Sequence, residues 1–251
     1  MNQLRAIDRL DTGPRFTEHD AIRLNRMFRG SETEEWLSAV LRDGLAGDIV
    51  IVSSFGAESA ALLHLVSQID RSVPVLFLET GKHFPETLAY RDQLAERLGL
   101  NLVNLYPELE DLKQRDETGL RWSYDPDGCC ELRKVRPLAK ALASYDASLT
   151  GRKAFQSSTR ANLPRFEIDT SDEQGRLKIN PLIDWDADRI AAYFEEHDLP
   201  RHPLVERGFP SIGCSPCTRP VAEGEDPRAG RWAGWDKVEC GIHKPGEEPF
   251  L

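Results

Sequence analysis

The sequence predicts an α/β protein with a mostly parallel, twisted sheet flanked by helices. Three observations carry that expectation. Short apolar runs rich in β-branched residues alternate with segments of helical period. Strands separated by helix-length segments return to the same sheet through crossovers, which favours parallel pairing. The chain has 251 residues, 40% of them hydrophobic, enough for one sizeable core. Three parts are expected: an N-terminal helical segment (1–45), an α/β core (46–201) and a C-terminal segment (202–251).

Each element has a local reason. In the first part Ser31 precedes Glu34 by three residues, a capping-box pattern, and Trp36, Leu37, Val40 and Leu41 then share one helix face. Gly44 is placed to end that helix. Residues 48–53 form a short β-branched run between Gly47 and Gly56 and read as a buried strand. A helix follows over 59–69, a second strand over 73–78, and a helix over 85–98 that begins at Pro85 and stops at Gly99. Residues 100–105 and 147–150 are strands, with a helix expected after Cys129 and Cys130. Runs at 166–169 and 177–183 are candidate strands, and 186–196 a helix. From His202 onward Gly, Pro and charge replace periodicity, which predicts a mobile tail carrying motifs.

Charge and composition exclude several classes. The formal net charge is −10, which argues against general nucleic-acid binding. No apolar run approaches the ~20 residues that span a bilayer, and residues 1–10 lack the uninterrupted apolar core of a secretory signal. A cytoplasmic location is the expectation, and the five cysteines, an odd number, then point to metal or thiol chemistry, not a disulfide framework.

The loop after the first strand, Ser53-Ser-Phe-Gly-Ala-Glu-Ser-Ala60, opens a helix. Backbone N–H groups and the helix dipole favour an anion there, and Ser53, Ser54 and Ser59 add hydroxyl donors. An ordinary strand-to-helix turn would have the same composition. The loop matches neither common glycine-rich nucleotide pattern and is nearer the S-G-G-x-D-S loop of ATP pyrophosphatases.

Cys129 and Cys130 are adjacent, and Cys214-Ser-Pro-Cys217 is a C-x-x-C pair. Four thiolates suit a metal site. Adjacent cysteines sit awkwardly around one small tetrahedral ion, so an iron–sulfur cluster is favoured over zinc. A redox C-x-x-C would leave the vicinal pair unexplained. Cys240 stands apart, with Lys237 and His243 near it in sequence and Glu239 opposing them. It is either a spare thiol or a nucleophile assisted by cations. Arg152, Lys153, Arg160 and Arg165 cluster after the fourth strand, Arg219, Arg228 and Arg231 follow the C-x-x-C, and Lys134 follows Cys130. Guanidinium groups bind phosphate and sulfate in a bidentate way, so in so acidic a chain the clustering suggests a bound anion, while any one of these residues taken alone reads first as solvated surface charge.

Together Ser54-Phe-Gly-Ala-Glu-Ser59, Glu79-Thr-Gly-Lys-His-Phe-Pro85, the cysteine pairs, Gly151 through Arg160, and Glu239-Cys-Gly-Ile-His243 resemble the sulfonucleotide reductases, in their iron–sulfur branch. The resemblance spans nearly all of the chain after residue 45. It implies an adenine-nucleotide α-hydrolase-like fold with a nucleotide-binding core. It implies a four-iron four-sulfur (4Fe-4S) cluster on Cys129, Cys130, Cys214 and Cys217, and Cys240 as nucleophile. Ser53, Ser54, Ser59, Gly151, Arg160, Arg228 and Arg231 would line the substrate pocket, and Lys134 would link cluster and sulfate. Against the family pattern one extra residue precedes Gln156, and Arg160, not Arg165, is assigned to the pocket. The implied activity is assimilatory reduction of adenylyl sulfate to sulfite and AMP through an S-sulfocysteine released by thioredoxin or a glutaredoxin-like dithiol. The resemblance implies no nucleic-acid or membrane partner and admits a homo-oligomer. The alternatives are a phosphoadenylyl-sulfate reductase of the same chemistry, an ATP pyrophosphatase-type adenylating enzyme, which would leave Cys240 idle, and a metal-binding sensor, which would leave the anion loop unused.

Overall fold

The strands run outward from the middle of the sheet and then change direction. In the computed structural model, residues 14–156, 160–237 and 239–243 are described. The six strands are β1 (Ile49–Val52), β2 (Pro74–Leu78), β3 (Asn101–Leu105), β4 (Ala147–Thr150), β5 (Phe166–Ile168) and β6 (Leu177–Ile179), in the order β3-β2-β1-β4-β6-β5. All neighbours pair in parallel except β5 with β6. β1 is central, and the chain leaves it for β2 and β3, then crosses back to β4 on its other side. The reversal between β1 and β4 is a topological switch point, where open α/β sheets place ligands outside the carboxyl ends of strands.

Helices α1 (Glu18–Met27), α2 (Thr33–Arg42), α3 (Ser59–Ile69), α4 (Pro85–Leu98), α5 (Leu109–Arg115), α6 (Pro126–Cys130), α7 (Arg136–Leu142) and α8 (Ala187–Glu196) complete the regular structure. The sheet separates two apolar layers. The larger packs Trp36, Leu37, Leu63, Phe77, Leu149 and Phe166 under the N-terminal helices, α3 and α8. The smaller packs Val50, Leu76, Leu78, Leu138 and Leu142, with Ile242 from the C-terminal segment set against it.

The expected α/β sheet and its helices are present, with adjusted ends. Gly99 closes α4 at φ 64°, a conformation glycine takes without cost. The Ser31/Glu34 capping box does not form. α2 begins at Thr33, after Glu32, with no side-chain cap, and the Thr33 hydroxyl instead accepts a hydrogen bond from Trp185 Nε1 at 2.9 Å. The real capping box is one helix earlier, between Thr17 and Asp20. β6 stops at Ile179, short of the expected 183, because Pro181 follows and the chain turns, its Asn180 side chain bonding Pro164 and Glu167.

Among the described residues beyond His202 there is no regular element longer than one turn. The segment nevertheless has apolar contacts of its own. Leu204, Phe209 and Ile212 are buried together against Ala57 and Phe84. His202, completely buried, donates from Nε2 to Thr87 Oγ1 (3.0 Å) and accepts the Leu204 N–H at Nδ1 (3.1 Å). Residues 244–251, the end of the expected tail, lie outside the described residues.

Candidate functional site

The cysteine pair is delivered by a short, heavily capped helix. Asp125 accepts the Gly128 N–H at 2.8 Å, and Pro126 starts α6 where its missing N–H costs nothing. A Cβ at Gly128 would lie 2.2 Å from both Arg121 Nη2 and Asp125 Oδ2, ion-paired at 2.6 Å, so a larger residue there would push this pair aside. The chain then makes a π-helical turn, Glu131–Val135, before α7. Such an inserted residue re-aims the side chains of one turn and is frequent at functional sites. Here it carries Arg133 and Lys134. Arg133 binds the Asp116 carboxylate (2.6 Å) and the Thr80 carbonyl (2.8 Å), tying this turn to the loop after β2.

The C-x-x-C turn, Ser215–Cys217 with Cys214 before it, is fixed to the same loop. Ser215 N–H donates to the Lys82 carbonyl at 2.8 Å, and Thr80 Oγ1 lies 3.4 Å from Cys214 Sγ. Cys129, Cys130, Cys214 and Cys217 thereby line one cavity, joined by Lys82, Trp122, Arg133, Lys134, Arg231 and Trp232. It encloses about 340 Å³ of empty space, open solvent included. All four are free thiols. Burial, then the neighbouring thiols, push Cys129 up to about 12 and Cys217 up to about 11, and burial raises Cys130. Among the described residues no group of three or more His, Cys, Asp or Glu is arranged to hold a single metal ion. Four cysteines nonetheless surround one space, with cations beside them, which are the donors a thiolate-held cluster would need. Metal binding to such thiols releases their protons and lifts the cost of their burial. Burial works against the charge of Lys134, but Cys214, Cys240 and Cys130 outweigh it and raise its pKa. Burial lowers that of Arg231, against the opposing pull of Cys240, Cys214 and Cys217.

Cys240 reaches this place on a strap. The turn Gly241–His243 packs on the π-helical turn so closely that a Cβ on Gly241 would meet Val135 Cγ2 at 2.9 Å. Lys237, buried against Trp232, pairs with Asp127 of α6. Glu239 bridges two arginines: Arg160 Nη2 and Nε donate to its Oε1 (2.8 and 3.0 Å), and Arg228 Nη2 to its Oε2 (3.2 Å). Cys240 thus lies within electrostatic reach of Lys134, Arg231 and Cys130. The His243 side chain lies outside the described part of the molecule.

The anion loop stands at the switch point. Phe55 takes a left-handed conformation, φ 48°, and is fully buried edge-on to Phe77. A non-glycine residue there is strained and must be held by its packing. Ser53 Oγ accepts the Phe55 N–H, Ser59 Oγ donates to the Gly56 carbonyl at 2.8 Å, and Ser54 is exposed. Across from it, Gly151 follows β4, and Lys153 joins the two loops through Glu58 (2.9 Å). A polar chain continues from Glu58 to Gln156 (3.0 Å) and from Gln156 to Arg160 (2.6 Å).

The structure sorts the basic residues that sequence alone grouped together. Arg160, Arg228, Arg231 and Lys134 converge on the strap and the cysteines. Arg165 pairs with Asp184 and bonds the Phe28 carbonyl, Arg219 pairs with exposed Glu225, and Arg152 is buried against Glu167 and Asn180. Trp122, Arg133 and Trp232 in the cavity wall were missed from sequence, while Lys82, Glu58 and Gln156 lay in the segments that carry the resemblance but had no role assigned. Asp125-Pro126-Asp127-Gly128 did carry a readable helix-start signal just before the cysteines.

Comparison with known proteins agrees with this geometry. The phosphoadenosine phosphosulfate reductase domain family matches residues 48–220. A protein of Chelativorans sp. (strain BNC1) named adenosine 5'-phosphosulfate reductase is 54% identical over 203 residues, 80% of this chain and 81% of its own length. One of the same name from Mesorhizobium japonicum is 52% identical over 205 residues, 81% of this chain and 79% of its own. Among solved structures, the phosphoadenylyl-sulfate reductase of Candida auris, crystallised as a phosphate complex, superposes with a TM-score of 0.68 at 26% identity, covering 81% of this chain and 98% of that one. A family match over more than half the chain and relatives above half identity make one conclusion plain: this chain belongs to the phosphoadenosine phosphosulfate reductase family.

Proposed function

We propose that the chain is an assimilatory adenylyl-sulfate reductase, converting adenylyl sulfate to sulfite and AMP at the expense of a dithiol protein such as thioredoxin. The observation that carries the proposal is the docking of the Cys240 turn on the π-helical turn beside the cysteine cavity, with Lys134 and Arg231 in electrostatic reach and Arg160 on the preceding Glu239. The names of the two relatives above half identity support the substrate.

In the first half-reaction the Cys240 thiolate attacks the sulfur of the substrate. The sulfur–oxygen bond to the phosphate breaks, and AMP departs with the electron pair. This leaves an S-sulfocysteine on the chain. In the second, a thiolate of the dithiol attacks Cys240 Sγ, sulfite leaves with the electron pair, and the partner's second thiol resolves the mixed disulfide. Two electrons pass from dithiol to sulfur, and Cys240 returns as a thiol. Covalent catalysis replaces one hard step with two easier ones. Lys134, Arg160, Arg228 and Arg231 offset the charge of an anionic substrate meeting an anionic nucleophile, and the loop Ser53–Ser59 offers backbone N–H groups and the exposed Ser54 hydroxyl to the phosphate. Cys129, Cys130, Cys214 and Cys217 would hold a four-iron four-sulfur cluster. Such a cluster would fix helix and loop against each other and shape the field at the sulfate.

The test is sulfite production from adenylyl sulfate with thioredoxin, using protein purified without oxygen. The native chain turns over, and Cys240→Ser falls by roughly 10³-fold or more with iron and sulfide content unchanged. A Cys240→Ser variant that retains activity removes the nucleophile assignment. Faster turnover of phosphoadenylyl sulfate, the substrate named for the Candida auris neighbour, would move the substrate assignment instead.

A further inference from the structure

Arg160 and Arg228, assigned above to the substrate's anionic groups, already hold an anion. It comes from the chain itself. The Glu239 carboxylate gives one oxygen to each guanidinium, as a phosphate or sulfate would, and only 12% of its side chain and 9% of that of Arg160 stay exposed. An anion held by largely buried guanidinium groups is bound more strongly than one in water, so a substrate anion and the Glu239 carboxylate compete for one place. Glu239 is also the residue before Cys240, so releasing its carboxylate removes an anchor of the chain next to that thiol. The strap's other clamp, Lys237 with Asp127, uses no group of the anion site.

We propose that Glu239 is an internal stand-in for the substrate's anion: it occupies Arg160 and Arg228 when no nucleotide is bound and is displaced when one binds. The inference rests on the substrate reading above. Binding of a nucleotide phosphate exchanges one anion for another at the arginines, and so unfastens the strap beside Cys240 while Lys237 keeps it attached. Once AMP has formed, the carboxylate competes for the same guanidinium groups and favours AMP release. The polar chain Arg160–Gln156–Glu58–Lys153 carries the exchange to the anion loop, which holds the other side of the nucleotide.

The experiment is calorimetric titration of the anaerobically purified chain with AMP and, separately, with adenosine, which lacks the anion. Glu239→Gln removes the competing charge, and AMP binds at least roughly fivefold more tightly while adenosine changes by less than about twofold. Asp236→Asn removes the same charge from an exposed neighbouring position and leaves AMP affinity within about twofold. Unchanged or weaker AMP binding by Glu239→Gln overturns the proposal. Equal tightening of adenosine, or an equal effect from Asp236→Asn, overturns it as well, because the cause would then be folding or the general field. A native chain that binds neither compound fails at the nucleotide reading, an outcome distinct from native binding that the variant does not change.

Discussion

The sheet and the strap are held together by different forces. β1, β2 and β4 lie between two apolar layers, with Val50, Ile51, Phe77 and Leu149 at most 1% exposed. The stretch from His202 to His243 buries Leu204, Phe209 and Ile212 against Ala57 and Phe84 and sets Ile242 on the smaller apolar layer, but it leans more than the sheet does on ion pairs, turns and single hydrogen bonds. Apolar burial is non-directional and cooperative across the whole layer. Charge pairs can be broken one at a time and re-made with a different anion. The stiff region therefore carries the loop Ser53–Ser59 and α6, and the region of separately breakable contacts carries Cys240.

Truncating one apolar residue in each region sharpens that contrast. Leu149→Ala at the centre of the sheet should cost about 3–5 kcal/mol of global stability, the upper part of the range for such cavities. Ile212→Ala should cost about 1–2 kcal/mol globally, since its neighbours can close up, but should speed hydrogen exchange in 202–237 far more than in the strands. Denaturant melts and exchange mass spectrometry read both. Equal global losses with uniform exchange would make sheet and strap one cooperative unit and break the comparison.

A smaller effect is expected at their seam. Burial drives the His202 imidazole down to about 4, and its Nδ1 is already committed to accepting the Leu204 N–H. An unfolded histidine titrates near ~6.5. The contribution of His202 is therefore complete above about pH 6.5 and is lost as pH falls towards 4, because the unfolded chain takes up a proton that the folded one refuses. Melting temperatures measured across that window should fall more steeply for the native chain than for His202→Gln. Parallel slopes would show that His202 is not the group that couples acid to unfolding.

What could be read before folding follows the same division. β1, β2, α3 and α4 were legible because burial imposes a pattern on neighbours in sequence, such as Ile49–Val52 and Gly99 after Leu98. The five cysteines were legible because no residue of another type does their chemistry. Arg160 could not be separated from Arg152 and Arg165 by physical argument, since all three are arginines on one stretch and only the partners Glu239, Glu167 and Asp184 distinguish them. The π-helical turn was equally hidden, because its sequence, Glu-Leu-Arg-Lys-Val, is an ordinary helical one. The Ser31/Glu34 pattern misled because the helix starts one residue later than it implies, with Glu32 at the cap and Thr33 as the first residue, bonded to Trp185 far along the chain.

The central claim is that the strap's thiol takes the sulfur from the nucleotide. The most direct measurement incubates the anaerobic protein with adenylyl sulfate labelled at sulfur, without any thiol, and then adds thioredoxin. The account predicts stoichiometric label on the peptide containing Cys240, stable until thioredoxin arrives and then released as sulfite. Nucleotide binding with no covalent label, or label on Cys129, Cys130, Cys214 or Cys217 instead, would contradict it.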